Sequence, residues 1–575
     1  MIKEFSGMLC NFYIVILTAL LPLYTRGTYV MLGDTKYSLF QSVSLFCLGL
    51  WAVTALVGWL AQTMDGLRIK KFHSLVDVCM LLYGGAVVIS ALCSSYGATA
   101  WTGYQDWHMG AISQLLFVGI YFLVSRAYQG NGWPIYLWET AFFVVMILGF
   151  CSRFGFDPLG LLEGFNSGDW EYSHLISTLG NINWSCGYCS VALAMPVAGY
   201  LRGSAPIKRR LLYVVSVSGL LFLCVQGSDT GLVLAVVCIG VCLLWSRHNM
   251  EYFRRTLLLA SGVSLGLPCY SILVELLGEG ALKAQPADGP GMDVFGWGGW
   301  WLVGVGLAVL SMLLGRFLDL KIFKRNRISE VDETQSRDSG ALSRKVRRSA
   351  LESMDKEAVV KRLWLGMILI AAVLTVSGGV WYLSRLAGSE GWISGRGALW
   401  RLSWQGFLRG SWKQKFLGAG PDCFAEYIYS TFAPMELPVV EGHWASATFA
   451  NAHNQWLNHL VNTGLLGLAC AMSIFVVSYK QYQRYLPGIL ALSMYGMNSL
   501  VSFQQVLSTP LFFLMLGLCE YTIRRERHKK EESTFSDKID EEDNNIAQGE
   551  REYEVDQNQD QDHYRGRGHH YQYTV

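Results

Sequence analysis

The sequence predicts an all-α polytopic membrane protein, with about fourteen transmembrane helices and one large extracytoplasmic loop. Of its 575 residues 52% are hydrophobic and only 16% charged, and charge-free windows of roughly 17–25 residues recur, the length that crosses hydrocarbon as a helix. Lys and Arg gather in alternate loops, as they do when one side of the membrane retains cations. The segment 385–453 breaks the pattern, because it is too polar, too Gly-rich and too long to cross a bilayer.

Taken in order, the predicted spans are 8–24, 38–60, 74–94, 111–126, 134–151, 182–201, 211–227, 230–246, 257–276, 298–316, 363–384, 454–478, 486–503 and 508–522. The first has a cationic start (Lys3) but no small-residue cleavage site after it, so it reads as a retained helix and not a signal peptide. Residues 1–316 then form a membrane domain of helices 1–10, 317–362 a basic cytoplasmic linker near anionic lipid, and 363–384 helix 11. Residues 385–453 make the extracytoplasmic loop and 454–522 helices 12–14. Residues 523–575, acidic and poor in aliphatics, form a disordered cytoplasmic tail.

One set of loops carries Arg68, Lys70 and Lys71; Lys208, Arg209 and Arg210; Arg254 and Arg255; and Arg524, Arg525 and Arg527. The alternate set holds scattered charges such as Arg26, Lys36, Arg153 and Lys283. Both termini are therefore expected in the cytoplasm of a multi-pass plasma-membrane protein. The net charge of +2 is the sum of segregated charges and points to no nucleic-acid partner. Cys186 and Cys189 lie one turn apart in an apolar helix without a second pair, which reads as packing and not metal binding. There is no P-loop and no Asp-rich metal motif, so a soluble sugar-nucleotide donor, a metal and a cofactor are not expected.

Six cations collect in the outer loop, where the charge bias should be weakest: Arg385, Arg396, Arg401, Arg409, Lys413 and Lys415. Long loops escape that bias, and such cations often only touch solvent or head groups. The accompanying residues favour an anion site. Trp400, Trp404, Phe407 and Leu408 recur at helical spacing beside Arg401, Gln405 and Arg409, which predicts an interfacial amphipathic helix with its aromatics down. Guanidinium groups hold a diphosphate bidentately. Arg396, between Gly395 and Gly397, is expected at a turn close to a ligand. Asn451 is expected to cap the next helix and to put His453 in its first turn, where the dipole keeps imidazole neutral and able to act as a base. Alone, the Gly418–Asp422 run is an ordinary loop punctuator.

The runs SGRGALWRLSWQGFL, FLGAGPDCF and NAHNQWLNHLVNTGLLGL, together with STLGNINWSCGY at Ser177–Tyr188 and the polar turn at Ser228, resemble the bacterial O-antigen ligase/polymerase superfamily, in its Gram-positive versions. The resemblance implies a GT-C-like glycosyltransferase of the outer face of the plasma membrane. Such an enzyme moves a glycan from an undecaprenyl diphosphate carrier to a hydroxyl of a glycan, lipid or protein acceptor, inverting the anomeric centre. It implies that Arg396, Arg401 and Arg409 hold the donor diphosphate and that His453 activates the acceptor. Asn454, Asp422, Gly180, Asn181 and Asn183 would shape the cavity. The chain departs from the ligases in its extra helices, basic linker and acidic tail. The competing reading is a transporter or flippase of lipid-linked saccharides, which would place ionisable residues inside the spans; Asp77 and Glu139 are the main ones there.

Overall fold

The computed structural model of the chain describes residues 2–64, 74–166, 169–277, 299–316, 396–437, 448–529 and 531. Every predicted span that falls among them is helical; the linker 317–362 and the span 363–384 lie outside the described residues. The helices are α1 (Ile2–Leu23), α2 (Leu32–Met64), α3 (Leu75–Cys93), α4 (Ala98–Thr102), α5 (Ala111–Ala127), α6 (Trp133–Arg153) and α7 (Trp170–His174). After a two-stranded antiparallel ribbon of β1 (Leu175–Ile176) and β2 (Gly180–Asn181) come α8 (Ile182–Ala192), α9 (Ala194–Arg202), α10 (Pro206–Val225), α11 (Asp229–Trp245), α12 (Met250–Leu277) and α13 (Trp300–Arg316).

The later helices are α14 (Arg396–Arg409), α15 (Trp412–Leu417), α16 (Phe424–Thr431), α17 (Gln455–Asn462), α18 (Gly464–Gln481), α19 (Leu486–Asn498) and α20, which begins at 509. Among the described residues six helices are long and apolar enough to cross a membrane, and Ala111–Ala127, Asp229–Trp245 and Trp300–Arg316 are apolar but shorter. Large apolar side chains such as Leu45, Phe46, Leu56, Leu92 and Leu302 are exposed on them, a surface that lipid and not water suits. The protein is a helical membrane protein.

Two predicted spans are broken. The helix expected over 182–201 stops at Leu193, because Pro196 has no N–H to offer the carbonyl of Ala192 and α9 has to restart. The helix expected over 454–478 breaks at Thr463–Gly464, where Gly464 has a φ of 65°. Ser177–Leu179 turn the ribbon, and Asn181 caps α8 by accepting from the Asn183 N–H.

Three cations read as loop charges are buried. Lys36 is inside α2, and its Nζ donates to the carbonyls of Leu21, Pro22 and Tyr24 at 2.8, 3.0 and 2.8 Å, which caps the end of α1. Arg255 is inside α12 and donates to the carbonyls of Tyr200, Leu201 and Gly203, capping α9 in the same way. Arg153 is fully buried at the end of α6. Asp77 pairs with Arg126 at 2.8 Å and accepts from the Tyr121 hydroxyl. A carbonyl at a helix end in a dry environment needs a donor, and a long cationic side chain supplies one.

Met1–Cys519 forms one compact unit and Glu520–Val575 a second. In the second unit residues 520–529 are helical, with Arg524 paired to Glu520 at 2.9 Å. The tail expected to be disordered from 523 therefore starts as helix, supported by that i,i+4 pair.

Candidate functional site

The segment expected as a loop is largely helical where it is described. In α15, Ser411 accepts from the Gln414 N–H while the Gln414 side chain accepts from the Ser411 N–H, a closed capping box. Helix α14 buries Leu402, Ser403 and Gly406, not its aromatics, and the Tyr427 hydroxyl from α16 donates to the Gly406 carbonyl at 2.7 Å. Trp404 and Leu408 are exposed beside Arg401 and Gln405. Small residues win the buried stripe because α16 crosses close to α14 there. Gly397, expected in a turn beside Arg396, is in the first turn of α14.

The Gly418–Asp422 turn joins this segment to the rest of the bundle. Ala419 N–H donates to the Val461 carbonyl and Gly420 N–H to that of Asn462. The Ser94 hydroxyl, at the end of α3, donates to the Ala419 carbonyl at 2.6 Å. Gly418 has a φ of 80°, and a Cβ there would collide with the Asn462 carbonyl. A Cβ on Gly464 would collide with the Phe416 backbone in turn. The two glycines let backbone lie on backbone, and this explains why α17 and α18 are separate helices.

Asp422 closes the turn in the left-handed region, at φ 59°. Its carboxylate Oδ2 accepts from the N–H groups of Tyr104 and Met109, both at 2.8 Å. It thereby holds the loop between α4 and α5. Burial pushes its carboxyl up to about 7, against the lowering effect of those two hydrogen bonds.

His453 precedes its helix instead of opening it. The cap of α17 is Asn454, whose Oδ1 accepts from the Trp456 and Leu457 N–H groups while its amide donates to the Leu500 carbonyl. Asn451, expected as the cap, accepts from the His453 N–H at 3.0 Å and forms an Asx turn one step earlier. His453 sits at φ 45°, an uncommon conformation for a side-chain-bearing residue and one that concentrates at functional sites. Its half-buried ring stands edge-on to Phe503 at 5.2 Å. Burial, followed by the charge of Arg396, holds it down to about 3. The expected neutral imidazole thus has a different cause: enclosure and a nearby guanidinium, not a first-turn position.

Arg396 opens α14 and lies within electrostatic reach of both His453 and Cys186. At α8, Asn183 Oδ1 accepts from the Ser228 hydroxyl at 2.8 Å, and Gly180, at φ 93°, lies against the Trp184 ring. Arg401 and Arg409 are not brought to this place. Five residues along a helix rotate about 140° from Arg396 to Arg401, and thirteen rise about 20 Å to Arg409. Arg401 is exposed. Arg409 is spent on both carboxylate oxygens of Glu436, at 3.1 and 2.8 Å, and lies over Phe432.

Beside His453 is a narrow polar cavity lined by Asp422, Asn451, Gln455, Asn458, His459, Gln114 and Gln504, with Trp107 and Phe503 on its wall. Gln114 and Gln504 exchange two amide hydrogen bonds across it, at 2.7 and 3.1 Å. His459 meets Tyr83 edge-on there. The 103–110 loop, TGYQDWHMG with its preceding Thr102, was not singled out by the sequence reasoning; two glycines bracketing an acidic-aromatic-His run were the available signal. Among the described residues no group of His, Cys, Asp and Glu is arranged to hold a metal ion. The buried Cys186 and Cys189 form no disulfide. No protein-family model matches the chain, and no curated protein matches it.

Proposed function

We propose that the protein is a membrane glycan transferase of the O-antigen ligase/polymerase kind, using a polyprenyl diphosphate-linked glycan as donor and a hydroxyl as acceptor. The observation that carries the reading is His453, held at a positive φ against Phe503 at the edge of a polar cavity, with the Arg396 charge within electrostatic reach of its ring. In the reaction the acceptor oxygen forms a bond to the anomeric carbon as the bond to the diphosphate breaks. His453 takes the hydroxyl proton, and the leaving diphosphate keeps the electron pair. Arg396 and the first N–H groups of α14 meet the charge that develops on it.

The Arg396 charge also gives the pair a logic. With no anion bound, burial and, after it, the guanidinium suppress protonation of His453. A diphosphate on Arg396 cancels that charge and raises the basicity of the ring, so the base is strengthened when the donor is in place. The active face is extracytoplasmic in this reading.

The test is release of undecaprenyl diphosphate from lipid-linked oligosaccharide by protein in liposomes. Arg396→Ala and His453→Asn should each slow release by about 100-fold or more, with folding retained, since Asn tolerates the positive φ of position 453. Normal release from either variant sinks the mechanism. Movement of intact lipid-linked saccharide across the bilayer, without release, would make the protein a transporter.

A further inference from the structure

We infer that Asp34, His108, Trp107 and Trp184 form a saccharide-binding subsite beside the His453 centre. Three separate elements bring these side chains together. Asp34 lies in the first turn of α2, and His108 Nε2 meets its Oδ1 at 2.9 Å. The His108 ring is stacked on Tyr37, with centroids 4.3 Å apart. Trp184, on α8, packs within 3.7 Å of the Cβ position of Gly33, next to Asp34, and the Asp106 carbonyl packs within 3.8 Å of the same point. Trp107 stands edge-on to Trp184 at 5.8 Å and to Phe503 at 4.7 Å, and Phe503 carries the His453 ring.

The loop that carries Trp107 and His108 is rigid and strained. Asp106 and His108 have φ of 71° and 53°, and Asp422 clamps the loop at Tyr104 and Met109. Gly103 and Gly110 lie in direct backbone contact at its base. Packing of the hydrophobic core does not require two strained side chains, one on each side of Trp107, in a half-exposed loop; holding an aromatic ring and a His–carboxylate edge in fixed relation does. Asp34 is 53% exposed, and its Oδ2 and the His108 Nδ1 have no partner among the described residues. They are a hydroxyl acceptor and a second polar edge. Trp107 and Trp184 are only partly buried, and an indole is of a size to pack against a pyranose. A wall of C–H-accepting aromatics with one or two charged hydrogen-bond acceptors is how a neutral, hydroxyl-rich ring is recognised. The contact path from Trp107 through Phe503 to His453 makes the bound saccharide a part of the acceptor, an assignment that rests on the proposed transferase reading; binding itself does not.

The test is saturation-transfer NMR on the full-length protein in nanodiscs, with chitobiose, lactose and maltose as probes. At least one disaccharide should receive saturation at its ring C–H protons, and Asp34→Asn and Trp184→Phe should each weaken it about threefold or more at unchanged unfolding temperature. Asp34 is exposed, so Asp34→Asn decides the matter if Trp184→Phe perturbs folding. No saturation of any of the three probes, or equal saturation in wild type and Asp34→Asn, overturns the subsite. Undecaprenyl diphosphate release, measured separately, distinguishes the two ideas. Saccharide binding without release removes the transferase and keeps the subsite, and release without saccharide binding does the reverse.

Discussion

The cations inside the bundle and two of the 396–415 segment, Arg401 and Lys413, do opposite things. Lys36 and Arg255 are each surrounded by backbone carbonyls at the end of another helix, and Arg126 is held by Asp77. Arg401 and Lys413 are exposed and make no hydrogen bond or ion pair among the described residues. A charge at membrane depth is commonly taken as part of a transport path. Here Lys36 and Arg255 replace missing helix donors, which is a structural duty, so their presence lends no weight to the transporter reading.

The comparison can be broken most severely at Arg255. Arg255→Met should leave the carbonyls of Tyr200, Leu201 and Gly203 without their donor and cost about 3 kcal/mol or more, read as a lost folded fraction in detergent. Lys36→Met should behave similarly at the end of α1. If either variant folds normally but fails to transport saccharide in a flux assay, the capping account is wrong.

Asp422 is the anionic counterpart of these buried caps, and it separates polarity from charge. Asp422→Asn keeps the acceptor for Tyr104 and Met109 and suits a positive φ, so stability should be retained; Asp422→Ala should cost about 2 kcal/mol or more. The pH dependence follows from the two shifted groups. His453, held from 6.5 down to about 3, contributes fully above pH 6.5 and loses its contribution as pH falls. Asp422, held from 3.8 up to about 7, contributes fully below pH 3.8 and loses its contribution as pH rises to 7. The slopes oppose each other between 3.8 and 6.5, and only the Asp422 loss continues to pH 7. Thermal stability should therefore fall from pH 6.5 to about 7 in wild type and stay level in Asp422→Asn. The same slope in both would remove Asp422 as its source. At the small end, Arg401→Ala and Lys413→Ala should leave unfolding temperature unchanged within error. A clear loss for either would show that the exposed cations are structural after all.

Much of the membrane architecture was legible in the sequence, because charge-free length is a property of local composition. The break at Leu193 was available from Pro196 but was not drawn; the one at Gly464 answers to a neighbour, since the Phe416–Gly418 backbone lies against Gly464 where a side chain would collide with it. Within the candidate site, Arg396, His453 and the Asn181–Asn183 turn were readable as residue types, and Arg396 lies within electrostatic reach of His453 and of Cys186 on α8. Arg401 and Arg409 were grouped with Arg396 by sequence proximity, whereas helical rotation and the Glu436 pair separate them. The 103–110 loop was missed because its role depends on Asp422, more than three hundred residues away.

The contact of Gly418 and Gly464 has a consequence for how the protein answers to its lipids. Helix α18 is a membrane-crossing candidate, and its first residue lies on the backbone of the turn that ends in Asp422 with no side chain between them to take up slack. When bilayer thickness changes, helices adjust by tilting. Tilt of α18 should therefore press on the turn that ends in Asp422, whose carboxylate holds the loop bearing Trp107 and His108. Acyl-chain length is then expected to shift the geometry of the Asp422 turn and the 103–110 loop.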